Sequence, residues 1–400
     1  MGNISAILNN AADSAQRSGG ATQTGAQPPE RWSPRTPWAM PRGGTRVDSL
    51  TGLRWFAALG VFLFHARGFF VESEEAYDLA SIGYEGVPFF FILSGFVMAW
   101  VARPSDTALN YYWRRVARIW PLLAVTTALT VAMMLWWWHV PVSKRDILWT
   151  LTFAQAWSTE HFMTMNVVTW TLSVEAFFYL LFPLLLRVLL RRSSALLAVL
   201  GVLCVAATAA TRLSTLHVDH SPEVERLFIA SPPALTPMFV LGVCAGLLVR
   251  RGWRPPFGTG FALAFTAGSI LLCWLWMAHP ELLKPVPATH GYFDAVLMPA
   301  FTLLIVTAAL RDVDGRRSLL RSRTLVKLGE WSFAYYLCHA VVLQVVGRLG
   351  LVPSAGLVRD LAEMTLAALA ALVVAAVLHE GVEKPAERRL RKLLPVRRAA

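Results

Sequence analysis

The 400-residue chain predicts an all-α polytopic membrane protein of about ten transmembrane helices, with both termini cytoplasmic. Three observations carry this. Hydrophobic residues make up 56% and charged residues 16%, with a mean hydropathy of +0.49, a balance that soluble domains rarely carry. Apolar runs recur near the ~20 residues that span a bilayer as helix. Arginines collect in alternate short loops, and sixteen tryptophans suit interfacial anchoring.

Taken in order, residues 1–45 are rich in Gly, Ala, Gln, Ser and Pro and lack a sustained apolar stretch. Such a segment buries too little surface to fold and is expected to be a disordered tail. It has no apolar run followed by a small-residue cleavage site, so the first span is expected to direct insertion. The membrane domain is expected over 46–390, followed by a basic tail at 391–400. Spans fall near 50–71, 86–102, 117–138, 166–187, 195–211, 234–249, 257–277, 292–310, 328–350 and 360–380. The stretch 147–160 is apolar but short, and reads as a re-entrant or interfacial segment on the outer side.

Charge fixes the expected orientation. Arg103, Arg114, Arg115 and Arg118 lie between spans two and three; Arg187, Arg191 and Arg192 follow span four; Arg250, Arg251 and Arg254 follow span six. Six further cations from Arg311 to Lys327 follow span eight, and the C-terminal tail is basic. With ten spans all of these share one side, whereas the opposite loop 72–85 holds Glu72, Glu74, Glu75, Asp78 and Glu85 with no Lys or Arg. Positive residues face the cytoplasm. The net charge of +12 is therefore topological, and nucleic acid is not an expected partner; the lipid bilayer is. Cys204, Cys244, Cys273 and Cys338 fall inside predicted spans without metal-ligand spacing and read as reduced packing residues.

Against this background the ionisable groups inside spans stand out, since membrane interiors tolerate them only at a cost. Arg54 and His65 are eleven residues apart, close to three helical turns, so both project from one face about 16 Å apart. Arg54 would lie at the cytoplasmic mouth, where a guanidinium suits phosphate. His65 would lie deep, where an imidazole can take a proton from a hydroxyl. The structural alternative is a snorkelling arginine and a histidine bonded to a neighbouring helix. In span two, Ser94-Gly95 reads as a close-packing site for another helix. Arg114, Arg115 and Arg118 open span three as a phosphate grip or as positive-inside anchoring. Span four carries Ser173, Glu175 and Tyr179; a carboxyl there is expected to pair, with Arg54 or with His65. Span nine places Ser332, Tyr336 and His339 on one face, which must point into a protein interior or a wet cavity. Pro385 is expected to end or kink the last helix, and Glu383-Lys384 to be structural. A loop at 212–233 with His217, Asp219, His220 and Glu223 reads first as solvated surface and second as an acceptor contact.

Together these blocks resemble the acyltransferase family 3 group of integral membrane O-acyltransferases, across about 46–390. The resemblance rests on Arg46-Val47-Asp48 with Gly52-Leu53-Arg54 and His65, on Phe89 to Gly95, on Arg115 to Arg118, on Trp170 to Tyr179, on Ser332 to His339, and on Glu383-Lys384-Pro385. Six blocks in order are specific where any one would be weak. The resemblance implies acyl transfer from a coenzyme A thioester, acetyl-CoA first, to a hydroxyl of a sugar or sugar-bearing product, without a metal. It implies His65 as the catalytic group and Arg54, Arg115 and Arg118 as donor-site cations; Glu175, from its place inside a span, is expected to orient that histidine, with a structural ion pair as the alternative. Ser173, Tyr179, Tyr336 and His339 are then expected to line the substrate site. Direct transfer and an acyl-histidine intermediate both remain open. The chain departs from many relatives at Phe333 and Ala176. Relatives acting on envelope polysaccharides often carry an extra hydrolase-like domain; this compact chain is expected to handle its acceptor alone, and looks like the branch that acylates macrolide-type antibiotics or like stand-alone acyltransferases of surface glycans. The expected location is the bacterial cytoplasmic membrane. A rival from another class is a secondary transporter or flippase, with Arg54, Glu175, His65 and His339 as its relay.

Overall fold

The structure, a computed structural model, describes residues 47–70, 73–103, 106–215, 222–283, 290–349 and 356–393. Among them every regular element is helical and none is a strand. The helices are α1 (Asp48–Ala66), α2 (Glu74–Ser81), α3 (Gly86–Val101), α4 (Ala108–Trp136), α5 (Lys144–Leu151), α6 (Trp170–Leu189), α7 (Ser194–Ser214), α8 (Pro222–Ile229), α9 (Pro232–Arg250), α10 (Thr259–Ala278), α11 (His290–Val313), α12 (Arg323–Arg348), α13 (Leu357–Leu378) and α14 (Lys384–Lys392). Nine helical stretches among the described residues are long and apolar enough to cross a membrane. The tenth predicted span, 328–350, is present as the 26-residue α12. Its polar stripe keeps its hydropathy too low to count, and that stripe is buried: Ser332 and His339 are both fully enclosed by protein.

Helix starts follow local chemistry. Ser73, Thr107, Ser143, Ser193, Ser231 and Ser322 each accept a hydrogen bond from a first-turn backbone N–H, satisfying a donor that the helix itself leaves free. Capping by Thr107 starts α4 nine residues before the predicted span at 117, so Arg114, Arg115 and Arg118 lie on its opening turns and not in a loop. The helical path also does not stop at Pro385. It passes through a π turn at His379–Glu383 and restarts as α14, with Pro385 in the first turn, where proline costs no hydrogen bond.

The core forms where glycines let backbones meet. A Cβ on Gly95 would lie 2.1 Å from the Phe239 carbonyl oxygen, and one on Gly242 would lie 2.0 Å from that of Ile92, so α3 and α9 pack as close as small residues allow. This is the role expected of Ser94-Gly95. A Cβ on Gly329 would lie 1.8 Å from the Thr51 carbonyl oxygen, which seats α12 directly on α1. That contact brings the arginine–histidine face of α1 against the polar stripe of α12.

Three loop expectations change. Glu85 is buried, beside Asp294 and Arg212, because the 3-10 turn Ile82–Glu85 runs straight into α3 and takes the carboxyl inside. The 212–233 stretch is mostly helix: α7 continues to Ser214 and α8 follows, while His217, Asp219 and His220 lie outside the described residues. Arg250 is a buried cap and not a solvated loop cation. Its Nη1 donates to the Ala99 and Ala102 carbonyls, at 2.7 and 3.0 Å, at the C-terminal end of α3. The four cysteines are free and buried.

Candidate active site

Two cavities meet at the α1–α12 contact. The first, about 390 Å³, is lined by Arg54 from α1, Ser94 from α3, Arg115 and Arg118 from α4, Glu175 and Tyr179 from α6, and Tyr336 from α12. The second, about 890 Å³, is bordered by His65, Arg67, Tyr84, Trp170 and Tyr336, by the 159–164 segment, and by Glu223 and Arg226 of α8. Only Val87 and Tyr336 border both, so these two side chains form the partition. Arg54 and His65 of one helix therefore face different chambers.

The predicted site residues divide along the same line. In the arginine cavity Glu175 hydrogen-bonds Tyr179 and has Arg54, Arg118 and Arg115 as its charged neighbours. Tyr179 also meets Ser94, and the Arg115 guanidinium lies 5.6 Å from the Tyr179 ring centre. Glu175 thus lies among the arginines, with its hydrogen bond made to Tyr179. Of the two partners expected for it, the structure gives Arg54; the imidazole of His65 is held by another group.

That group is His339. Its Nε2 lies 3.2 Å from His65 Nδ1, and the two ring centres are 5.0 Å apart. His65 Nδ1 is also 2.9 Å from the Val61 carbonyl oxygen, and His339 Nδ1 is 3.2 Å from that of Tyr335. Carbonyl oxygens only accept, so each Nδ1 carries the proton. His65 Nδ1–H then donates to Val61 and to His339 Nε2, and the unprotonated nitrogen of His65 is Nε2. In the neutral imidazole this network leaves the lone pair on Nε2, in a side chain that borders the larger cavity. Tyr336 is fixed in the partition by a 2.9 Å hydrogen bond between its hydroxyl and that of Thr171, and by a 3.3 Å bond to the Val168 carbonyl. Ser173 is buried, its Oγ has no hydrogen-bond partner among the described residues, and it borders neither cavity.

Three contributors were not picked out by sequence reasoning. Thr171 anchors Tyr336 and lies inside the Trp170–Tyr179 block, so the block itself was its signal. Glu383, read as structural, is buried and is a charged neighbour of Arg54 and Arg118. Arg391, assigned to the tail, lines the arginine cavity. Among the described residues no cluster of three or more His, Cys, Asp or Glu is placed to hold a metal ion.

The helical bundle and these chambers define a multi-pass membrane protein with an internal polar site. The family model described as an acyltransferase domain matches residues 47–380, and the chain belongs to that family, acyltransferase 3. Curated relatives cover most of it. It is 34% identical to acyltransferase MdmB of Streptomyces mycarofaciens over 385 residues, 89% of this chain and 96% of that one. It is 28% identical to the exopolysaccharide production protein ExoZ of Rhizobium meliloti, over 82% of this chain and 95% of that one. It is 22% identical to the O-acetyltransferase OatA of Staphylococcus aureus, over 75% of this chain and 51% of that one. No solved structure matches. The chain is therefore an acyltransferase that transfers groups other than aminoacyl groups, and the transporter reading is not favoured.

Proposed function

We propose that the protein is an acyl-CoA-dependent O-acyltransferase of the cytoplasmic membrane, acting on a hydroxyl of a glycosylated, macrolide-type metabolite or of a surface glycan. The observation that carries this reading is the partition: Arg54, Arg115 and Arg118 line the cavity on one side of Tyr336, and His65, its Nδ1 held by Val61 and His339, borders the cavity on the other. By the positive-inside rule the arginine cavity opens to the cytoplasm, where acyl-CoA is available. Arg54, Arg115 and Arg118 bind the donor's phosphates and Glu175 holds those arginines in place. The pantetheine arm then runs inward and brings the thioester to the partition.

The acceptor enters through the 890 Å³ cavity. His65 Nε2 takes the proton of its hydroxyl as the oxygen attacks the thioester carbonyl. The C–S bond then breaks, and the departing thiolate receives that proton from the His65 imidazolium, so the histidine ends neutral. His339 and the Val61 carbonyl stabilise the imidazolium by accepting from Nδ1–H. Tyr336 and Thr171 are the hydroxyl groups at the crossing point.

The test uses membranes bearing wild-type protein or His65→Ala, with isotopically labelled acetyl-CoA and candidate acceptors. Wild type should label the acceptor, and His65→Ala should lose that label by about 10²-fold or more, the range of general-base contributions. Equal labelling by both would overturn the assignment. Label in a small extractable product identifies the metabolite acceptor and label in polymer the glycan. Label retained on wild-type protein with donor alone would mark His65 as an acyl carrier instead.

A further inference from the structure

The arginine cavity continues into a third chamber, of about 800 Å³, through shared walls at Met98, Val101, Arg115 and Arg391. Five more features of this chamber are cationic or anion-binding. Arg103, Arg114, Arg187 and Arg191 line it, and α4 begins in it, with Thr107 and Ala108 on its wall. A 29-residue helix presents unpaired N–H groups and positive dipole charge at its start. The chamber holds one lining carboxylate, Asp106, which is 2.9 Å from Arg114. Arg391 is paired with Glu387, while Arg103, Arg187 and Arg191 have no carboxylate partner among the described residues.

Six guanidinium groups from the end of α3, the start of α4, the end of α6 and α14 surround one chamber; Arg114 and Arg391 are paired with carboxylates, and Arg103, Arg187 and Arg191, exposed at its rim, leave it with a positive charge that an anion would offset. Exposure alone would suit positive-inside anchoring, but these arginines also border one chamber together with Arg114, Arg115 and the start of α4. The connection to the narrower arginine cavity adds a size argument: the outer chamber has about twice the volume, so the shape is wide at the mouth and narrow towards Tyr336.

We propose that this chamber is a second anion site that holds the phosphorylated nucleotide end of the donor, with Arg187 and Arg191 of the α6 end and Arg103 of the α3 end as its principal ligands. The proposal rests on the acyl-CoA reading above. It divides the donor between two chambers: the nucleotide end with its ribose phosphate at the wide mouth, and the diphosphate, uncharged arm and thioester along the narrow cavity. An anionic lipid headgroup carries the same phosphate chemistry, so the test separates the two sources.

The experiment uses the full chain purified in neutral detergent. Binding of labelled adenosine 3′,5′-bisphosphate is measured first, for wild type and for the Arg187→Gln/Arg191→Gln double variant. Wild type should bind and the variant should bind at least about tenfold more weakly, as expected for lost charge-assisted hydrogen bonds. Competition by phosphatidylglycerol vesicles, with phosphatidylcholine vesicles as control, tests the other source. Retention of phosphatidylglycerol without any nucleotide binding overturns the proposal in favour of a lipid site. In turnover, the variant should raise the KM for acetyl-CoA about tenfold without raising that for S-acetylpantetheine, which lacks phosphates. An equal rise for both donors overturns it, since a general distortion would do that. Absence of transfer by wild type with either donor refutes the acyl-CoA reading alone; Arg187- and Arg191-dependent nucleotide binding would then still support the site.

Discussion

Replacing His339 by leucine tests how much the histidine pair contributes to the proposed reaction. His65 Nδ1–H has two acceptors, the Val61 carbonyl at 2.9 Å and His339 Nε2 at 3.2 Å. Leucine removes only the longer bond and keeps most of the side-chain volume. One neutral hydrogen bond contributes about 0.5–1.5 kcal/mol, which at 1.36 kcal/mol per factor of ten is a loss of roughly 2- to 13-fold in kcat. The Val61 carbonyl still fixes the tautomer, so the effect should stay well short of the loss of about 10²-fold or more expected for His65→Ala. His339→Gln can place an amide oxygen where Nε2 was and should return kcat to within about twofold of wild type. The assay is steady-state transfer from acetyl-CoA by purified protein, with kcat and donor KM resolved for each variant. A positioning role predicts lower kcat, an unchanged donor KM and rescue by glutamine. Full activity in His339→Leu would show that the bond does not orient His65. A loss of about a thousandfold would show that His339 itself moves a proton.

Other perturbations separate the remaining parts. Arg54→Gln and Arg118→Gln should each raise the donor KM by about tenfold with little change in kcat, because each removes a charge-assisted contact made to the bound donor; an unchanged KM in initial-rate assays would remove them from the donor site. Arg212→Met should cost more stability than Asp294→Asn: the first leaves two buried carboxyls, Asp294 and Glu85, without their cation, while the second leaves Arg212 beside Glu85. Breaking a buried pair costs about 3–5 kcal/mol, and thermal denaturation in detergent should rank Arg212→Met below Asp294→Asn. Gly95→Val should be poorly folded, because even its Cβ would sit 2.1 Å from the Phe239 carbonyl, and overpacking costs about 1–3 kcal/mol before any backbone shift; a wild-type melting curve would contradict the α3–α9 contact.

The spans and the arginine–histidine face of α1 were legible because each is a local property. Hydropathy over ~20 residues marks a span, and a fixed rise per residue places Arg54 and His65 three turns apart whatever surrounds them. What surrounds them was not legible. His65 and His339 are 274 residues apart, and nothing in either local pattern says that α12 lies on α1; that depends on Gly329 meeting Thr51. Glu175 shows the same limit from the other direction. Sequence required a partner for a carboxyl inside a span and named two, but only the packing of α4 and α6 decides that it keeps company with arginines. Glu85 and Arg250 misled for a common reason. Each sits within one residue of a helix end, where sequence reads a loop, yet each turns inward to meet groups on another helix.

These placements bear on why the proposed reaction would use a neutral imidazole and not a histidine–carboxylate pair. A carboxylate in place of His339 would put a charge at a fully buried position that contacts His65 and the Tyr335 carbonyl, with Arg67 the charged neighbour of His65; a second histidine supplies an acceptor at no cost in charge. Glu175, by contrast, sits where Arg54, Arg115 and Arg118 already supply positive charge. The acceptor side, bordered by Arg67, Glu223 and Arg226, receives a base that is itself polar but uncharged until it takes a proton. Moving a carboxylate across the partition tests this directly: His339→Glu should impair folding or transfer more than His339→Leu does, although glutamate is the better hydrogen-bond acceptor.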